Sequence, residues 1–88
     1  MYEDETPIAW TAMRTNAGVV GVDGSDIGTA EATLGDRDED IFHGIVLRRR
    51  DGVLVEVPAA RVKRMTDHHV ITDLTESDTR SLPGYRTR

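Results

Sequence analysis

Three glycines in eight residues, in the stretch GVDGSDIG from Gly21 to Gly28, could cradle a phosphate or turn a hairpin. A dinucleotide loop needs G-x-G-x-x-G followed by a helix, so that backbone N–H groups and the helix dipole meet the pyrophosphate. Here the spacing is G-x-x-G-x-x-x-G, and the continuation TAEATL alternates like a strand. A Walker loop needs G-K-[ST], and no lysine precedes Lys63. The stretch therefore reads as a hairpin whose Asp23–Gly24 corner uses the positive φ that glycine tolerates.

The loop DRDED sets Asp36, Asp38 and Asp40 at the first three ligand positions of a calcium loop. An EF-hand also needs glycine at the sixth position and glutamate at the twelfth. Ile41 and Leu47 stand there, so the reading is a solvated acidic turn, with Asp36, Asp38 and Asp40 kept as candidates for a surface cation site. His68 and His69 are adjacent, and neighbours on a strand face opposite ways, so they do not chelate one ion together. His43, His68 and His69 read as exposed turn histidines. Nucleophilic catalysis needs a Ser, Cys or Thr beside a His that a carboxylate orients. The serines, Ser25, Ser77 and Ser81, fall in a hairpin turn and a terminal helix, neither of which resembles a nucleophile elbow. No catalytic residue and no cofactor are expected, and the chain reads as a non-enzyme.

The densest charge cluster is Arg48, Arg49 and Arg50 together with Arg61, Lys63 and Arg64. If the two runs flank one region they form a basic face for an acidic partner. Charged ends of edge strands also guard against aggregation, which is the simpler reading. Residues 1–40 carry ten acids against two bases, whereas residues 41–66 carry two acids against six bases. Such a split on identical chains favours a homodimer or other closed assembly.

These residues sit on a chain of 88 residues, one domain near the lower end of what folds alone. It buries only about 60–65% of its unfolded surface, so pairing with a second copy would help it. Aromatics make up only 5%, so branched aliphatics must fill the core, and these favour strands. With no cysteine, disulfides, thiolate catalysis and Cys-based zinc sites are excluded. No apolar run is long enough to span a bilayer, so no membrane insertion is expected. MYEDETP lacks the basic-then-apolar pattern of a secretory signal, so a soluble cytoplasmic protein is the expectation. The net charge of −5 opposes non-specific nucleic-acid binding, which needs local positive charge.

Along the chain, MYEDE is expected to fray, and TPIAWTAM offers Thr6 as N-cap and Pro7 as first residue of one or two helical turns. VVGV, IGTAEATL, IFHGIVLRRR and VLVEVP read as strands, with Asp-Gly corners at Asp23–Gly24 and Asp51–Gly52. Val53, Val55 and Val57 share one face of the fourth. AARV reads as a helical turn, and KRMTDHHVITDL as two strands about Asp67–His68. TESDTRSLP carries a capping box, Thr75-x-x-Asp78, for a helix of about two turns ahead of a loose basic tail, GYRTR. Five or six short strands at such spacing imply a small antiparallel barrel, mainly β.

The ordered string from GVVGVDGSDIG to HVITDL resembles the PRC-barrel family. The matching pieces are V-x-x-x-D-G-x-x-I-G-x-x-E at Val20 to Glu31 with one position of slack, F-x-G-I-V, V-P-A-x-R-V at Val57 to Val62, and H-V-I-T-D-L-T. The resemblance covers about residues 16–76, and the length is similar to small stand-alone bacterial members. The same module occurs in the reaction-centre H subunit and the ribosome maturation factor. It implies a β-barrel and a habit of protein–protein contact, without a shared activity. The organisation expected is an arm or short helix at 1–15, a barrel at 16–74, and a helix with a tail at 75–88.

The leading expectation is a non-catalytic, self-associating interaction module. The alternative is RNA or ribosome-assembly binding through Arg48–Arg50 and Arg61–Arg64. A second alternative is an ion or small-molecule sensor that uses the acidic loop.

Overall fold

The computed structural model describes residues 5–85. Six strands, β1 (Ala17–Val20), β2 (Asp26–Asp36), β3 (Ile41–Arg49), β4 (Leu54–Pro58), β5 (Val62–Met65) and β6 (His69–Thr72), lie in one sheet in the order β4-β3-β2-β1-β6-β5. The mainly β architecture expected from the alternation is the one observed. Three details differ from a closed antiparallel barrel of short strands. β1 and β6 pair in parallel, and the sheet curls into a half-barrel with β4 and β5 at its two ends. β2 also runs to 11 residues. The tight turn at Asp67–His68 fixes β6 antiparallel to β5, and β6 then lies parallel to β1 where it fills that strand's open side.

The curl has a local cause. Register shifts interrupt β1 at Val19/Val20 and β2 at Ala30/Ala32 and Leu34/Gly35, and each bulge bends its strand and adds twist. Ile27, Ala30, Ile45, Leu47, Val55, Val57, Val70 and Leu74 are buried in the hollow that results. Trp10, Phe42 and Leu82 pack against this core from its rim. Both Asp-Gly corners take the expected form, with Gly24 at φ 82° and Gly52 at φ 88°. Asp23 accepts from the Ser25 N–H and Asp51 from the Val53 N–H, each at 3.1 Å, which locks the turns. Val53 is 47% exposed, unlike Val55 and Val57, because it still belongs to the corner.

The chain's own ends cover the sheet's edges. The Ile8 N–H donates to the Met65 carbonyl and the Asp67 N–H to the Thr6 carbonyl, with Pro7 bridged to Thr66 on the β5 side. On the other side the Glu56 N–H donates to the Pro83 carbonyl and the Tyr85 N–H to the Leu54 carbonyl. Main-chain groups that could template another strand are thereby occupied.

The helix expected from Thr6 to Met13 is corrected: Pro7 lies in a bridge, and only Trp10–Ala12 forms a 3-10 turn. A segment this short does not repay helix nucleation when β5 offers backbone partners instead. The turn over Ala59–Arg61 and the capping box on α1 (Glu76–Thr79) are as expected, with Thr75 accepting from the Asp78 N–H at 3.1 Å. α1 stops after one turn rather than two, because Leu82 turns inward to the core. Of the fraying expected for MYEDE, residues 1–4 lie outside the described residues, as does the end of the basic tail at 86–88, whereas Glu5 is held by Thr66 and His69. Among the described residues, no helix is long and apolar enough to cross a membrane.

Candidate functional site

Four of the six cations meet carboxylates of the chain itself rather than pooling into one face. Arg48 holds Glu31 of the neighbouring strand with two hydrogen bonds, Nε to Oε2 at 3.1 Å and Nη2 to Oε1 at 2.7 Å. That fork lowers the Glu31 pKa and raises that of Arg48. Arg49 is ion-paired to Asp51. Arg61 donates to Asp73 at 2.5 Å and lies 3.6 Å from Asp78, so its pKa is raised, mostly through the Asp73 hydrogen bond. Lys63 reaches Asp73 at 4.0 Å, and Arg64 is half-buried on β5. The strands bearing the two runs stand far apart in the sheet order, with β2, β1 and β6 between them. α1 meets both groups: Asp78 answers Arg61, while Glu76 and Arg80 line a cavity with Arg49 and Arg50.

The acidic loop is built as structure. Asp36 accepts from the backbone N–H groups of Asp38 and Glu39, at 3.0 and 3.3 Å. Asp40 accepts from the Trp10 indole at 3.0 Å, Arg37 lies over the same ring, and Trp10 packs on Phe42 with centroids 5.6 Å apart. Asp36, Asp38 and Asp40 do not converge. Among the described residues there is no group of three or more His, Cys, Asp or Glu able to hold a metal ion.

One carboxylate–histidine contact has the look of a catalytic pair. Glu5 sits 2.8 Å from His69 Nδ1, and the Thr66 hydroxyl donates to the same carboxylate at 2.6 Å. In a triad the hydroxyl engages the imidazole as its base. Here it engages the acid, so the cluster ties the N-terminal arm to the β5–β6 turn. His69, expected as an exposed turn residue, is half-buried by this contact, whereas His68 stays exposed beside Asp67.

The Thr66 hydrogen bond, helped by His69, holds the Glu5 carboxyl below its ordinary pKa of 4.5. A folded-state pKa below the unfolded one stabilises the fold above the unfolded value, and this is lost as pH falls through the folded value. Asp23, Glu31, Asp51 and Asp78 are lowered too and act in the same sense. The chain therefore loses stability on acidification below about pH 4.5. Glu5→Gln should flatten this acid limb in thermal melts run from neutral pH to about pH 3. A melt profile identical to the native one across that range would contradict the assignment.

The feature with the shape of a binding site is elsewhere. Leu34 of β2, His43 of β3, Glu56, Val57 and Pro58 of β4, and Leu82 and Pro83 enclose a groove of about 410 Å³. Five of these seven residues are apolar. Gly44 opposite Pro58 brings β3 close to the end of β4, and the Pro83 carbonyl, bound to the Glu56 N–H, seats the far wall. His43 is exposed and Glu56 half-buried, so the titratable groups lie on an otherwise apolar surface with no Ser, Thr, Cys or Lys among the lining residues. The sequence reading missed this groove, since its walls come from β2–β4 and a segment about 25 residues further on. The one available signal was Leu82–Pro83, an apolar pair in an otherwise polar terminal stretch.

Compared with known protein families and with curated proteins, the chain matches none.

Proposed function

We propose that this chain is a non-catalytic interaction module of the PRC-barrel type, acting in the cytoplasm, and that it pairs with a second copy by burying the groove between β4 and Leu82–Pro83. The carrying observation is that groove, about 410 Å³ with five apolar residues among its seven. Strand addition is closed to a partner along the paired parts of β4 and β5, because the chain's own ends occupy them. Side-chain docking is what remains, and the mostly apolar groove suits it. A second copy is the favoured occupant because so small a domain buries a modest core and gains most from pairing. A two-fold dimer presents the same apolar patch from both sides. His43 and Glu56 are the titratable groups at hand to pair across it. The arginines supply little of the attraction, since Arg48, Arg49 and Arg61 already have carboxylate partners within the chain. The same pairing weakens the alternative of RNA binding, which needs cations available to phosphate.

Sedimentation velocity tests this. The native chain should move to dimer between micromolar and sub-millimolar concentration, with little dependence on salt. Pro58→Glu, at an exposed wall position, should stay monomeric over that range while melting normally. A native chain that remains monomer throughout, or a Pro58→Glu variant that dimerises as well as the native chain, would overturn the proposal.

A further inference from the structure

We propose that the cavity between the β3–β4 corner and α1 is a binding site for a small, hydroxylated phosphate monoester. Arg49, Arg50 and Arg80 line this space of about 280 Å³, together with Asp51, Glu76 and the buried Ile27. This is a different site from the apolar groove and shares no residue with it.

In a chain of net charge −5, three arginines line one cavity with two acidic residues. Arg49 is pre-set: its guanidinium pairs with Asp51, which is itself fixed by the Val53 N–H at 3.1 Å. Arg50 and Arg80 have no ion-pair partner among the described residues and stand exposed at the mouth. Guanidinium forks match the geometry of phosphate oxygens. A phosphate monoester carries about −1.5 to −2 charges at neutral pH, which two unengaged arginines can meet. Glu76 on α1 then serves as an acceptor for a hydroxyl of the organic part, and Ile27 as the apolar surface beneath it. The volume falls just below the usual small-molecule range of about 300–1,000 Å³, which fits a triose- to pentose-sized phosphate. An end group fits such a recess better than a continuous nucleic-acid backbone does.

Amide-resolved NMR titration of the full chain at constant ionic strength tests this with three probes: inorganic phosphate, glycerol 3-phosphate and a short RNA. Glycerol 3-phosphate should shift the amides of Gly52, Thr79 and Arg80 and bind more tightly than inorganic phosphate. Arg80→Gln alone should weaken it by roughly tenfold, and Arg50→Gln with Arg80→Gln by more, as expected for lost charge-assisted hydrogen bonds. Arg48→Gln, whose guanidinium is committed to Glu31, should leave the affinity unchanged. Shifts scattered over the surface, equal binding by the Arg50/Arg80 variants, or preference for the RNA would each overturn the assignment.

Discussion

Gly44→Ala lowers the thermal midpoint of this chain by roughly 15–30 °C. Gly44 sits at φ 147°, a conformation that side chains rarely adopt. A Cβ there would lie 2.0 Å from the Val57 carbonyl oxygen and 3.1 Å from the Pro58 Cα. Both contacts are backbone, so no rotamer change relieves them, and β3 must separate from β4. Strain of about 1–3 kcal/mol adds to an overpacking cost of similar size. Against a total stability of about 4–13 kcal/mol for a chain of this length, much of the folded population is at risk. Gly52→Ala is the matched control. Its φ of 88° is also left-handed, but nothing lies within 4 Å of the added carbon. It should lose no more than about 1–2 kcal/mol, from conformational strain alone. Circular-dichroism melts of the two variants separate steric closure of the β3–β4 pair from turn strain, and equal losses would contradict this account of Gly44.

Leu47→Ala is the second large loss, about 2–5 kcal/mol. Leu47 is fully buried on β3, between β2 and β4 and opposite Ala30 and Val55. Its neighbours are strands whose register is held by ladders on both sides, so the cavity left behind cannot collapse cheaply. In urea the midpoint should fall with the slope nearly unchanged, because the surface exposed on unfolding hardly alters. Val53→Ala removes two methyl groups from a residue 47% exposed at a corner and should stay within about 0.5 kcal/mol of the native chain. A Leu47→Ala variant as stable as Val53→Ala would mean that the hollow of the half-barrel is not the core.

The contrast between these sites shows where the sequence was readable. Alternation with β-branched residues marked the strands, and both Asp-Gly pairs fall at tight corners, because period and turn chemistry are local properties. The Thr75-x-x-Asp78 box was legible for the same reason. The parallel pairing of β1 with β6 was not, since no local signal says which strand will fill an open side. Nor was the helix expected at Thr6 to Met13 realised, because the edge of β5 competed for its backbone. Among candidate site residues, Arg49 and Arg50 reach a cavity, but their third companion is Arg80 rather than Arg61 or Arg64. Ion pairing with Asp73 and Asp78 draws Arg61 elsewhere, and such long-range pairs leave no mark on spacing. The groove of Leu34, Val57 and Leu82 was hidden likewise.

Half-filtered NOE spectroscopy on a mixture of isotope-labelled and unlabelled chains shows directly whether the groove between β4 and Leu82–Pro83 is where two copies meet. At concentrations where the chain sediments as dimer, the methyl groups of Leu34 and Leu82 should show contacts that cross between copies, and these should vanish in Pro58→Glu. Intermolecular contacts placed at another face, with Leu34 and Leu82 silent, would contradict the groove as the interface.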